Sequence, residues 1–534
     1  MIRRLALLTL LLLLLSQMLT VAAQESTYTG TLDDSEAEFK LEVELRAGES
    51  LAAVVRATSG TLDTLLTLLD STGQLIISND DRTLIDLNSA IGYSSEEGGL
   101  YTLILSRATW RPTAGEYVLT IRIGDRSVLT SLALAPDTVR LSGPTQTRET
   151  EHFRVLYTRQ GADAVEPTYL DLVEETLEWA WQQEVVELGW PAPIIPMASR
   201  IDVYLMDLID EDGEFGSILG VNHGDFSMGD NPATPDVVEA GSASIIRLDN
   251  DYAEFADEYD PDVWLRATVA HEFHHSIQRG YDALEPMRWY MEATAEWIST
   301  LVVPEDIVSY GRIEENYRYP HICFGAFDLQ NMGLMYGDWP FMAMLDLHYG
   351  AAVPFQLWEN IARYDGFEAL ERLADSLDTT LPDMLAEYRL RNLLRDYPFA
   401  ERFGRVSVWS SDTLQRPGRL SGYGMQELGV NYVTVELPPD LYEVTVESDD
   451  NPLELWAVGI RNRIGSLYRL GETGFIDTRP HDDLFLMVFN PSYDDNLGVC
   501  EYASYTLQTR RVTETIAQPV ADETRLVPFF RLPS

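Results

Sequence analysis

Five consecutive residues, His271-Glu272-Phe273-His274-His275, constrain this chain more than any other stretch. They read H-E-x-x-H. On an α-helix, residues four apart share a face, so His271 and His275 can turn two imidazole nitrogens toward one cation. Glu272 sits about 100° further round, close enough to reach a bound water without ligating the metal. Two ligands, an open position for water and a carboxylate to take its proton are the parts of a zinc-dependent hydrolase. The flanks favour the helix: Asp260 suits an N-cap, Pro261 the first turn and Gly280 a stop. Leu265, Val269, Phe273 and Ile277 recur at every fourth position as an apolar stripe. Phe273 is two positions from each histidine, so packing and chemistry face different ways.

A second helix is expected over Arg288-Trp289-Tyr290-Met291-Glu292-Ala293-Thr294-Ala295-Glu296-Trp297, opened by Pro286 and ending before Pro304. Met291, Ala295, Ile298 and Val302 form its apolar stripe. Glu292 and Glu296 share a face. A short turn around Gly280 to Leu284 would fold this helix back on the first, so that one carboxylate joins the two imidazoles and the other accepts a ring N–H from a ligand histidine.

These residues resemble the gluzincin clan, the thermolysin-like zinc peptidases, in which H-E-x-x-H is followed on the next helix by E-x-x-x-D or E-x-x-x-E. More narrowly, His271 to Gln278 with Trp289, Glu292, Thr294, Ala295, Glu296 and Trp297 are similar to a group of secreted bacterial metalloproteases. Their signature is roughly H-E-x-x-H-x-x-Q followed by W-x-x-E-x-T-A-E-W. The resemblance runs from His152 to about Phe399. It implies zinc on His271, His275 and Glu292, Glu272 as general base and Glu296 as support to a ligand. The metzincin pattern fails, because Gln278 and Tyr281 occupy its Gly and third His positions.

The chain opens with Arg3 and Arg4, an apolar run from Leu5 to Leu15, and small residues at Val21-Ala22-Ala23. Residues 1–23 therefore read as a secretory signal peptide, which makes the mature protein extracellular. No later stretch is apolar enough to span a bilayer, so no membrane insertion is expected. The formal charge of −48, with Lys40 the single lysine, disfavours nucleic acid and anionic membranes as partners. Cys323 and Cys500 either pair, as export permits, or are two separate buried thiols.

Residues 24–124 read as all-β, since Leu119, Ile121 and Ile123 alternate with Thr120 and Arg122. Ala47-Gly48, Asp70-Ser71-Thr72-Gly73, Asn79-Asp80-Asp81, Gly99-Leu100-Tyr101 and Ala114-Gly115-Glu116-Tyr117 make the module resemble the bacterial pre-peptidase C-terminal (PPC) domain, a small β-sandwich. Asp63, Asn79, Asp80 and Asp81 offer oxygen ligands for Ca2+, although ordinary turn acids are the preferred reading. Residues 125–150 are expected to be a connector.

Residues 151–400 should hold the site. Strands are expected near His152 to Thr158, Ile201 to Leu205 and Ser244 to Leu248, with a helix at Val165 to Leu188. Ser244 to Leu248 is the candidate edge strand for pairing with extended substrate. Asp210, Asp212 and Glu214 lack EF-hand spacing and read as a solvated loop. His223 and His321 read as structural or exposed. Tyr336 is a candidate donor to an oxyanion, against a packed aromatic. Helical periodicity fills Phe341 to Leu394, and residues 401–534 look like a second β-sandwich and tail.

The fold class expected is thus multidomain: an α+β zincin-like catalytic domain flanked by N-terminal and C-terminal all-β sandwich domains. The function expected is zinc-dependent hydrolysis of a protein or peptide substrate. Two other readings stay open: a non-catalytic adhesion or binding protein with a relic domain, and a glycosidase-like hydrolase with paired carboxylates.

Overall fold

A computed structural model describes residues 24–512, apart from 34–36, 74, 80–87, 96–97, 108–112, 126–127, 130–131, 133–138, 196–199, 209–218, 230, 235–240, 254–259, 284, 286, 307, 326–331, 365, 407–412, 449–451, 462–463, 494–499 and 501. The signal-peptide stretch, the acids Asp80, Asp81, Asp210, Asp212 and Glu214, and the tail beyond 512 lie outside the described residues. The chain forms two compact units, residues 1–135 with 226–229, and residues 136–225 with 230–534.

The first unit holds eight strands: β1 (Gln24–Leu32), β2 (Glu38–Arg46), β3 (Ser50–Ala57), β4 (Thr64–Leu69), β5 (Leu75–Asn79), β6 (Ala90–Ser94), β7 (Gly98–Arg107) and β8 (Gly115–Gly124). They form two four-stranded sheets, ordered β1-β8-β3-β6 and β2-β7-β4-β5. One apolar core joins the sheets, with Val55, Leu119 and Ile91 from the first meeting Leu66, Leu68 and Leu105 from the second. The alternation along β8 produces this: Leu119 is buried between the half-exposed Val118 and Thr120. Asp63 is buried at the start of β4, where its backbone N–H donates to Thr113 Oγ1 at 3.2 Å.

The second unit begins inside the expected connector. Strand β9 (Gln146–Glu149) pairs antiparallel with β10 (Phe153–Tyr157), so the connector stops short of residue 150. Helix α1 (Pro167–Trp181) follows, continued by a π-helical turn at Gln182–Glu187. Then come β11 (Ile201–Met206), β12 (Gly220–Gly229) and β13 (Gly241–Asp249). The sheet order is β12-β13-β11-β10-β9, with β11 parallel to both β10 and β13. This corrects one expectation. Ser244 to Leu248 is an inner strand, and the outer position belongs to β12. Its sequence, GVNHGDFSMG, is rich in residues that strands disfavour, which hid it.

Helix α2 (Pro261–Tyr281) carries the H-E-x-x-H residues. Asp260 caps it, its side chain accepting from Asp262 N at 3.1 Å. It runs through Gly280 rather than stopping there. A Cβ at that glycine would stand 2.8 Å from Asn231 Nδ2, so close packing explains the glycine better than a stop does. Leu265, Val269, Phe273 and Ile277 are all at most 1% exposed and join the main core. Helix α3 (Arg288–Val302) packs against α2 and contributes Trp289, Tyr290, Ala293 and Ile298 to that core. Helices α4 (Val308–Arg318) and α5 (Met332–Gly337) were not legible as helices in the sequence. Helices α6 (Trp339–Met344), α7 (Val353–Ile361), α8 (Phe367–Ser376) and α9 (Leu381–Leu394) match the apolar periodicity.

The remaining strands are β14 (Thr413–Leu414), β15 (Gly418–Met425), β16 (Val430–Val435), β17 (Leu441–Ser448), β18 (Glu454–Arg461), β19 (Ile464–Gly471), β20 (Thr473–Asp477), β21 (Asp483–Phe489) and β22 (Ala503–Arg511). They make a sandwich of the sheets β14-β16-β21-β18-β19 and β15-β22-β17-β20. The five-stranded sheet is buried on both faces. Along β21, Leu484, Leu486 and Val488 enter the sandwich interior, while Met487 and Phe489 enter the core shared with the helices. A strand covered on both sides reads as a continuous apolar run, and Leu484 to Phe489 is one. The two cysteines are joined: Cys323 and Cys500 form a disulfide that ties the helical region to this sandwich.

Candidate metal centre

Three elements build the site. Helix α2 supplies His271, Glu272 and His275 from consecutive turns, α3 supplies Glu292 and Glu296, and α5 supplies Tyr336. His271 Nε2 lies 3.1 Å from His275 Nε2 and 3.1 Å from Glu292 Oε2. His275 Nε2 lies 3.4 Å from the same carboxylate oxygen. Among the described residues these three are the cluster of His, Cys, Asp or Glu arranged to hold a metal ion.

The triangle suits a tetrahedral metal. Ligand atoms about 2.0–2.1 Å from a zinc ion stand about 3.3 Å from one another, close to the three separations found. The electrostatics point the same way. Burial by itself would lower the His271 pKa, but the hydrogen bond to Glu292 and the fields of Glu272, Glu296 and Glu292 raise it to about 9. Burial would raise Glu292, yet the two imidazoles hold it well below the usual carboxylate range. Two imidazoles facing three carboxylates leave a surplus of negative charge, which a divalent cation would neutralise. Beside the triangle, Glu272 Oε2 and Glu296 Oε2 are buried without a hydrogen-bond partner among the described residues. The donor set and these orphaned oxygens fit a hard or borderline cation with a water beside it.

Each residue around the triangle has a distinct position. Glu272 is 6% exposed, and burial, the strongest influence, holds its carboxyl above its ordinary value of 4.5 while His271 and His275 pull against it. Glu296 Oε1 is 3.7 Å from His271 Nδ1, a longer contact than a formed hydrogen bond. The Tyr336 ring stacks beside His271 at 6.1 Å between centroids and 25° between planes, with the Arg312 guanidinium 4.6 Å over the Tyr336 ring. Burial holds the Tyr336 phenol well above its ordinary value, so it stays a hydrogen-bond donor. His223 and His321 stand outside the cluster.

Strand β12 closes one side. Asn222 Nδ2 donates to the Glu272 carbonyl at 2.9 Å and to Ser276 Oγ at 2.9 Å, and Asn222 Oδ1 accepts from Arg279 Nε at 2.8 Å. These bonds pin the strand to α2 alongside the carboxylate. Gly220 makes the close approach possible, since a Cβ there would stand 2.7 Å from Glu272 Cγ and 2.7 Å from Thr268 Cγ2. Sequence reasoning missed Gly220 and Asn222, because nothing local marks a glycine or an asparagine as the neighbour of a residue fifty positions away. It also left Gln278 without a role. Gln278 Oε1 lies 2.7 Å from His275 Nδ1.

No protein-family profile matches the chain, and no curated protein matches it. Among solved structures, similarities include the ZmpB metallopeptidase from Clostridium perfringens, at 11% identity and a TM-score of 0.26, over 88% of this chain and 92% of that one. Another is the pre-peptidase C-terminal domain of a collagenase from Bacillus anthracis, at 12% identity and a TM-score of 0.16, over 18% of this chain and 88% of that one. A third is PliG of Aeromonas hydrophila, a periplasmic inhibitor of g-type lysozyme, at 14% identity and a TM-score of 0.16, over 19% of this chain and 88% of that one. TM-scores this low leave the superpositions too loose to carry fold or function, so the site stands on its own geometry.

Proposed function

We propose that the chain is a secreted zinc-dependent metallopeptidase of gluzincin type. His271, His275 and Glu292 are the zinc ligands in this reading, with a zincin-like arrangement of α2, α3 and the sheet edge β12. The single observation that carries it is the triangle of two imidazole nitrogens and one carboxylate oxygen beside the orphaned oxygen of Glu272. Export is supported by the leader-like residues 1–23 and by the disulfide between Cys323 and Cys500, which persists in oxidising surroundings. Among the described residues no helix is long and apolar enough to cross a membrane.

Zinc, when bound, supplies Lewis-acid polarisation of the scissile carbonyl and acidifies a water. Glu272 accepts the proton of the attacking water on its unpaired oxygen and delivers it to the departing amide nitrogen. Glu296 faces His271 Nδ1 at 3.7 Å and adds negative charge beside that ring. Tyr336 is held protonated beside His271 and donates to the oxygen that gains charge. The bare backbone at Gly220 keeps β12 close to Glu272, and the outer edge of β12 is where an extended peptide would pair. The N-terminal sandwich is an accessory module in this reading, and no Ca2+ role is assigned to it.

The test combines metal analysis with peptide hydrolysis. Purified protein should carry one zinc per chain, cleave an unstructured protein substrate, lose that activity to a chelator and regain it with zinc. Glu272→Gln should keep the zinc and lose the turnover. A well-folded protein that binds no stoichiometric zinc sinks the reading, and so does Glu272→Gln with undiminished hydrolysis.

A further inference from the structure

The Met291 carbonyl is a backbone oxygen, so it can only accept a hydrogen bond. Gln278 Nε2 donates to it at 2.9 Å. That donation fixes which way the Gln278 amide lies, because only its nitrogen carries protons. The Oε1 of the same amide is thereby turned to His275 Nδ1, 2.7 Å away. An amide oxygen can only accept, so His275 Nδ1 must carry the proton. The neutral imidazole then presents a bare lone pair at Nε2, the atom that faces His271 Nε2 at 3.1 Å and Glu292 Oε2 at 3.4 Å. Gln278 is fully buried, so water does not compete for either half of its amide.

Two features make this more than one hydrogen bond. Gln278 lies one turn beyond His275 on α2, while Met291 precedes Glu292 on α3. The backbone next to one ligand therefore sets the tautomer of another on a different helix. Among the described residues His271 shows no equivalent hydrogen bond at Nδ1, where Glu296 Oε1 stays 3.7 Å away. We infer that Gln278 is a positioning residue that locks His275 in the Nδ1–H tautomer. This inference rests on the zinc reading for its consequence, but its structural content holds in the metal-free protein.

Imidazole nitrogen NMR on the full chain, stripped of metal with chelator, reads the neutral His275 ring directly. Wild type should show the Nδ1–H form alone, and Gln278→Leu should show both tautomers. Zinc affinity, measured by chelator competition, should fall about 10- to 100-fold in Gln278→Leu. Gln278→Met repeats the test with a side chain of similar length that can neither donate nor accept in this way. The inference is overturned if wild-type His275 carries its proton on Nε2, or if both variants bind zinc as tightly as wild type. Wild type that binds no zinc defeats the function proposed above, yet the tautomer measurement still decides this inference. Should both variants fail to fold, the wild-type spectrum alone decides it.

Discussion

Helix α2 carries two imidazole–carboxylate pairs that behave in opposite ways. On one side, His271 meets Glu292 at 3.1 Å, with Glu272 and Glu296 close by. On the other, His274 Nδ1 meets Glu184 Oε2 at 2.9 Å, and both side chains are fully buried. In the first pair the imidazole is raised to about 9 and the carboxylate is lowered. In the second, burial lowers His274 well below its ordinary value and raises Glu184 well above its own. The difference lies in the company each pair keeps. His271 and Glu292 sit in a field of further carboxylates, so charge is welcome. His274 packs edge-on to Trp190 at 4.8 Å, where burial, with His275 and His271 nearby, disfavours a positive charge. One pair belongs to the triangle that could hold a metal ion, and the other joins α2 to the π-helical turn after α1.

The largest effect that would sharpen this contrast is on turnover. Glu272→Gln should lower kcat by at least about 10³-fold with zinc retained, whereas Glu184→Gln should leave kcat within a few-fold, both read in a peptide hydrolysis assay. Next is metal retention. Glu292→Ala and His275→Ala should lose zinc on dialysis, while His274→Phe should keep it, and metal analysis of each variant separates the two faces of the helix. If His274→Phe also loses its zinc, the division fails.

Stability is expected to respond elsewhere. The disulfide closes a span of 177 residues between Cys323 and Cys500. Loop-closure entropy puts its contribution at about 5 kcal/mol as an upper figure, so Cys323→Ser with Cys500→Ser should lower the midpoint of urea unfolding markedly. It should leave zinc affinity unchanged in the fraction that stays folded. A smaller change is expected at Gly220→Ala. The added Cβ crowds Glu272 but no ligand, so kcat should fall about tenfold while zinc affinity holds, as kinetics and chelator competition would show.

The smallest effect is a pH slope from the second pair. Between the ordinary values of 4.5 for Glu184 and 6.5 for His274, the unfolded chain has a charged imidazole and a charged carboxylate, which together hold one proton. The folded pair also holds one proton, so it adds no slope in that window. Glu184→Gln removes the acid but leaves an imidazole that resists protonation when folded. Its unfolded state then binds the extra proton, and stability should fall as pH drops below 6.5, by up to about 1.4 kcal/mol per pH unit relative to wild type. Urea unfolding of the two proteins on either side of that pH measures the difference. Parallel pH profiles would show that burial does not hold His274 neutral in the variant.

Much of the site was legible because helical periodicity is local. The spacing of His271 and His275, the stripe through Phe273, and the Asp260 cap are all properties of one segment, and so is the shared face of Glu292 and Glu296. Alternation likewise announced the strands of residues 24–124. The outer strand β12 escaped because Gly, Asn, His and Asp dominate it, and its strand geometry comes from pairing with β13 rather than from propensity. Helices α4 and α5 escaped because each is short and α5 carries less than two turns of pattern.

The sequence by itself determined which residues share a helix face, since a period of about 3.6 needs no distant partner to act. It also determined that the chain has few positive charges and a pair of cysteines. Only the tertiary structure decided that Glu292 stands within reach of both imidazoles, that His274 turns away to Glu184, and that Gln278 bridges to the Met291 carbonyl. Each of these depends on how α2 packs against a second element. Packing contacts between segments are set by the shape of the whole core, which no single stretch of chain encodes.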